Sequence, residues 1–192
     1  ANFSVRPYFF SKVNKFTVIG CYDYAWLASR TKSRNVSTGC MVICSTPNEV
    51  LGDECTGYGC CQSSIPNDIN FYTTQVRKLQ NLSNGSSDDV SDIYRRSFNP
   101  CTYAFVGDEN AFKFNGVTDL NDTSFRKRIE DTVPLVLEWA IGNLSCPEAE
   151  ATAGFACQLN SNCVSSSRKS GGYRCVCKEG YEGNPYLSPG CQ

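Results

Sequence analysis

The chain has 192 residues, 18 of them basic and 19 acidic, with a net charge of −1 and no histidine. That balance provides no global field favouring nucleic acid or an acidic membrane, and without histidine there is no Ser-His or Cys-His nucleophilic dyad. Thirteen cysteines point to a disulfide scaffold made in an oxidising compartment; their spacing lacks the paired Cys-x-x-Cys units of a zinc ribbon, so no metal site, cofactor or catalytic residue is expected.

In chain order, residues 1–30 are rich in Phe, Tyr and Val. Phe3, Ser4 and Val5 read at once as a strand, so Ala1 looks like a cut within a domain. Phe16 and Val18 fall on one face of a strand that ends at Gly20 and Cys21. Tyr22, Tyr24 and Trp26 then recur with period two, which puts three rings on one face, expected to pack in the core beside Cys21, with stacking on sugar rings as the alternative. Residues 30–38 are polar and read as a loop, and the apolar run from Cys40 to Cys44 reads as a buried strand.

A crowded stretch follows, from Cys55 to Pro66. Three cysteines lie within seven residues, and Cys60 and Cys61 are adjacent. Successive side chains of an extended segment point to opposite sides, so these two should cross-link to different neighbours. Residues 68–79 alternate like a strand, residues 80–92 read as a solvated loop, and Cys101–Val106 resumes as a strand. Residues 115–132 are charged and suit a short helix. Val133–Ile141 is the most apolar run and reads as the central strand.

Composition changes near residue 145. Beyond it large aliphatics nearly vanish, so residues 146–192 must depend on disulfides rather than a core. The expected architecture is mainly β and disulfide-rich: a cysteine-rich β domain over 1–145 and a small module over 146–192. Thirteen is an odd number, so at least one of Cys21, Cys40, Cys44, Cys55, Cys60, Cys61 and Cys101 is expected to lack a partner within the chain.

Asn-x-Ser/Thr acceptors occur at Asn2, Asn35, Asn81, Asn84, Asn121 and Asn143, which suits a glycosylated surface. No run is long and apolar enough to span a membrane.

The Cys175-Val176-Cys177 step, followed by Gly180, Tyr181, Glu182, Gly183, Asn184, Pro185 and Tyr186 before Cys191, resembles an epidermal growth factor (EGF)-like module. That resemblance implies Cys146–Cys163, Cys157–Cys175 and Cys177–Cys191. Calcium-binding members carry oxygen ligands just before the first cysteine. Here Asn143 is the one amide, and Ser165 stands where the family's hydroxylated Asp or Asn would, so no calcium is expected.

Four further stretches extend the likeness: Asn14–Cys21, Cys55–Pro66, Phe98–Phe105 and Val133–Ile141. Together with the module they resemble the ectodomain of plant wall-associated receptor-like kinases through nearly the whole chain. The resemblance implies a galacturonan-binding cysteine-rich domain, of which this is the later part, on the extracellular face of the plasma membrane in a single-pass receptor with a cytosolic Ser/Thr kinase. It also implies a Cys-Gly-containing stretch ahead of Ala1, which would supply the odd cysteine's partner; another chain is the alternative.

The ligand so implied is cell-wall pectin or its oligogalacturonides, whose carboxylates call for cations. The candidates are Arg30, Lys32 and Arg34, and Arg126, Lys127 and Arg128, with Arg77, Lys78, Arg95 and Arg96 in reserve. The alternative function is a protein-recognition module for a secreted protein, peptide or co-receptor.

Overall fold

The computed structural model describes residues 8–31, 33–79, 94 and 96–192. The expected strand at residues 3–5 and the loop at 80–92 lie outside them, as do Asn2, Lys32, Asn81, Asn84 and Arg95. The fold is mainly β and divides into two compact units, the first holding Phe10–Val136 and the second Leu137–Gln192 with Tyr8 and Phe9. The boundary expected at 145 therefore lies inside the second unit.

The first unit contains two three-stranded antiparallel sheets. In one, β2 (Asn14–Ile19) runs between β5 (Cys60–Ser64) and β7 (Tyr103–Asp108). In the other, β3 (Asp23–Arg30) runs between β4 (Asn35–Val42) and β6 (Thr73–Lys78). Two short helices follow β7: α1 (Val117–Leu120) and α2 (Phe125–Thr132).

β2 is covered on both faces, which suits its β-branched and aromatic residues. Ile19 lies opposite Cys60 and Tyr103, and this face packs toward the helices in a cluster with Phe114, Leu120, Phe125 and Ile129. Val18 lies opposite Cys61 on the other face. The adjacent cysteines therefore diverge: Cys60 bonds Cys55, while Cys61 bonds Cys40 on β4 and ties the two sheets together. Cys21–Cys44 is the third bridge of this unit, and Cys101 is left as an exposed free thiol.

The buried Asn14 fixes where β2 begins. Its Nδ2 donates to the carbonyls of Ser11 and Val136, each at 2.8 Å, and its Oδ1 accepts from Val136 N at 2.9 Å. These bonds also explain why Val133–Ile141 is not the central strand. The Pro134 carbonyl accepts from Asp108 N and Val136 is held by Asn14, so only Leu137–Trp139 remains as a strand, β8. Its partner is the short β1 (Tyr8–Phe10).

Two other expectations change. The segment 30–38 is a tight hairpin, because β3 runs to Arg30 and β4 restarts at Asn35. The run at Cys40–Cys44 belongs to an edge strand; Val42 and Cys44 are buried while Met41 is 53 % exposed.

In the second unit, α3 (Cys146–Glu150) precedes the hairpin of β9 (Ser161–Ser165) and β10 (Tyr173–Cys177). Disulfides join Cys146–Cys163, Cys157–Cys175 and Cys177–Cys191. The small core is aromatic. Tyr173 stacks on Phe155 with centroids 5.6 Å apart, and the Tyr186 hydroxyl both donates to the Cys175 carbonyl and accepts from Cys175 N. Trp139, within the run read as the central strand, is half-buried against Tyr186, because its segment pairs with this unit: Ile141 bridges Tyr173.

Candidate ligand-binding face

The register of the β4–β3–β6 sheet decides which side chains share its outer face. Tyr24 lies between Met41 and Arg77, Trp26 between Gly39 and Gln75, Ala28 between Ser37 and Thr73, and Arg30 opposite Asn35. The alternate residues of β3, Asp23, Ala25, Leu27 and Ser29, point inward and are buried.

Tyr24 and Trp26 therefore face outward and do not fill the core. Tyr22 does not join them: its φ of 62° breaks the alternation one residue before β3 begins, and its hydroxyl lies beside that of Ser45. On the inward side Ala25 lies opposite Cys40, which is bridged to Cys61, and Ala25 and Leu27 are fully buried. Alternation alone allows either choice.

The two outward rings form a platform. Their centroids are 5.6 Å apart and their planes 19° from parallel, an offset-stacked arrangement. Gly39 keeps the side of Trp26 open, since a Cβ there would come within 3.4 Å of the Trp26 Cβ and 3.1 Å of the Ala25 carbonyl oxygen. A shallow, mostly apolar groove of about 590 Å³ follows Tyr24, Trp26, Gly39, Met41 and Leu79. A second, of about 390 Å³, is lined by Ala28, Arg30, Asn35, Ser37 and Thr73 together with inward-side residues such as Ser29.

No carboxylate occurs among the outward residues of these three strands. Among the described residues, Arg30, Arg34 and Arg77 make no ion pair. The face thus joins an apolar platform to free cations, an arrangement suited to a ligand with flat, weakly polar faces and negative charge.

The second candidate cluster is arranged differently. On α2, Arg126 pairs with Glu130 at 2.8 Å and Lys127 with Asp131 at 2.7 Å, both four residues ahead. Arg128 turns inward to Asp119 and lies 3.5 Å from Asp122. Glu130 raises the Arg126 pKa above its usual value. Asp122 titrates below the ordinary carboxylate range, chiefly because the Ser124 hydroxyl and amide bond to it. These three charges are matched locally, and the structure does not bring them together with Arg30 and Arg34 as one patch.

Of the described acceptors, Asn35, Asn121 and Asn143 are all exposed. Arg77 and Gln75 complete the face from β6. Arg77 is only a reserve candidate in the sequence and Gln75 is not one, because only the strand register brings them beside Tyr24 and Trp26.

No family model matches the chain, and no solved structure matches it. Over 185 residues it is 39 % identical to wall-associated receptor kinase 5 of Arabidopsis thaliana, a match covering 95 % of this chain and 23 % of that protein. Wall-associated receptor kinase 2 is 38 % identical over 182 residues, 95 % of this chain and 22 % of that protein. Wall-associated receptor kinase 1 is 33 % identical over 192 residues, 100 % of this chain and 24 % of that protein. The chain is homologous to the wall-associated receptor kinases. It spans about a quarter of the length of the relatives it matches; this is a non-catalytic ectodomain region, and the kinase part lies outside it. The likeness to these receptor kinases supports a plant cell-surface receptor ectodomain. Among the described residues, no helix is long and apolar enough to cross a membrane.

Proposed function

We propose that this chain is the ligand-binding part of a plant cell-surface receptor that senses de-esterified cell-wall pectin or oligogalacturonides through the outer face of its β4–β3–β6 sheet. The observation that carries this reading is the Tyr24–Trp26 platform flanked by Arg77 and Arg30 with no carboxylate on the same face. Uronide rings would lie on the aromatic platform while their carboxylates meet the arginines, which makes recognition dependent on free acid groups. On this reading Arg30 and Arg34 serve the ligand, whereas Arg126, Lys127 and Arg128 serve α2. Residues 146–192 would act as an EGF-like spacer or interaction module without calcium, a reading supported by the 1–3, 2–4, 5–6 pairing and the β9–β10 hairpin. The setting is the apoplastic face of the plasma membrane, with a glycosylated surface.

The test is direct binding of an oligogalacturonide of defined length at two salt concentrations. De-esterified oligomers should bind, more weakly as salt rises, and methyl-esterified ones much less. If no uronide binds even at low salt, the reading is lost. Exposed Met41 and Val76 on the same sheet favour a second reading, a protein ligand or co-receptor, which would show as salt-insensitive binding of a polypeptide.

A further inference from the structure

We propose that Asn35 carries an N-linked glycan that lies along the outer face of the β4–β3–β6 sheet and shields the Tyr24–Trp26 platform. The consequence for ligand affinity rests on the reading of this face as the uronide-binding surface; the shielding itself does not.

Asn35 opens β4 directly after the hairpin turn, in the acceptor Asn35-Val36-Ser37. Its side chain is exposed and makes no hydrogen bond among the described residues, and Ser37 is exposed on the same face. The register then fixes the direction. Asn35 is opposite Arg30, Ser37 opposite Ala28, and Gly39 opposite Trp26. At strand rise, four residues separate Asn35 from the platform by about 13 Å. A groove of about 390 Å³, lined in part by Arg30, Asn35 and Ser37, lies at the Asn35 end of that interval. A branched oligosaccharide is longer than the gap, and its sugar rings are themselves suited to aromatic faces. Asn121 follows α1 and Asn143 belongs to the second unit, so Asn35 is the one acceptor among the described residues that is mounted on this face.

In the attachment step, the Asn35 Nδ2 attacks the anomeric carbon of a polyprenyl-diphosphate-linked oligosaccharide in the secretory pathway. The C–N bond forms as the bond to the diphosphate breaks, and the amide proton leaves with the diphosphate. Nothing is oxidised or reduced. A glycan that covers the platform for two-thirds of the time leaves one-third of molecules competent, which lowers apparent affinity about 3-fold.

The experiment uses the chain made in a eukaryotic secretory host, with glycopeptide mass spectrometry for occupancy. Trp26 and Trp139 are the two tryptophans, so a Trp139→Phe background makes Trp26 the sole reporter for acrylamide quenching. Asn35 should be occupied. Asn35→Gln and Ser37→Ala should each raise the quenching constant and tighten oligogalacturonide binding about 3-fold. Asn121→Gln, which removes an acceptor away from this face, should change neither. Endoglycosidase trimming of the unsubstituted chain, read by oligogalacturonide binding and by total tryptophan quenching, gives the same comparison if Trp139→Phe does not fold. An unoccupied Asn35, or an occupied one with unchanged quenching, overturns the proposal. If quenching rises on removal of the glycan yet no uronide binds either form, the shielding stands and the pectin reading falls.

Discussion

The Arg128 guanidinium donates to Oδ1 of Asp119, a carboxylate only 2 % exposed at the end of α1. Asp119 also accepts from the backbone N of Asn115 at 2.9 Å and from its side-chain amide at 3.2 Å. Arg128 is thus the bolt between α1 and α2, and its cation is spent on a buried anion. Arg128→Ala should cost about 1–3 kcal/mol, since a buried acceptor loses its charged donor. Arg126→Ala and Lys127→Ala should each stay within about 0.5 kcal/mol, being exposed helix pairs. Denaturant melts would measure this, and equal losses for all three would contradict it. None of the three should alter uronide affinity.

The contrast between Arg128 and Arg30 shows what a sequence does and does not display. Each sits in a run of basic residues, and nothing local separates them; the difference is made by Asp119, nine residues away on another helix, and by the absence of acids across a sheet. The β character and the family were legible, because alternation around Phe16 and Val18 and the motif at Cys55–Pro66 are local features. The binding face was not. Period two tells which residues share a face and is silent on which face meets water. Tyr24 and Trp26 were expected in the core beside Cys21, yet the inner side belongs to Ala25 and Leu27, with Ala25 opposite the bridged Cys40. Val133–Ile141 misled for a related reason. Its apolar length suggested a core strand, but Asn14, far earlier in the chain, takes Val136 by its backbone and ends the pattern.

Trp26→Ala should weaken oligogalacturonide binding about 3- to 10-fold, the range for loss of one aromatic contact. Arg77→Ala should weaken it about 2- to 5-fold at low salt and flatten its salt dependence. Neither should change the melting temperature greatly, because both side chains lie outside the core. Calorimetric titration with matched circular dichroism melts checks both points. Unchanged affinity in both variants would remove the face from the binding reading.

Acid should loosen the start of α3. The Glu148 carboxylate accepts from Ser145 N at 2.8 Å and Ser145 Oγ at 2.7 Å, and those bonds hold its pKa below the ordinary value. A carboxyl with a depressed folded pKa stabilises fully above its unfolded value, roughly 4.3, and that contribution is lost as pH falls through the lower, folded value. Glu148→Gln keeps an acceptor at this position but does not titrate. The amide signals of residues 145–150 should therefore shift through an acid transition in the parent and not in the variant. The same transition in both would disprove the capping account.

The two bridges at Cys60 and Cys61 should differ in what their loss does. Cys55–Cys60 spans 5 residues and Cys40–Cys61 spans 21, so the chain-entropy account gives about 2 and about 3 kcal/mol respectively. The larger difference is positional. Cys55–Cys60 staples a turn, whereas Cys40–Cys61 holds edge strand β4 to β5 and keeps Gly39 flush beside Trp26. Paired Cys→Ala variants leave no new thiol to exchange with the exposed Cys101. At a temperature where both variants remain folded, C40A/C61A should lose more uronide affinity than C55A/C60A and expose more of β4 to hydrogen exchange. Equal exchange along β4 in the two variants would mean that the sheet face holds its shape without the inter-sheet bridge.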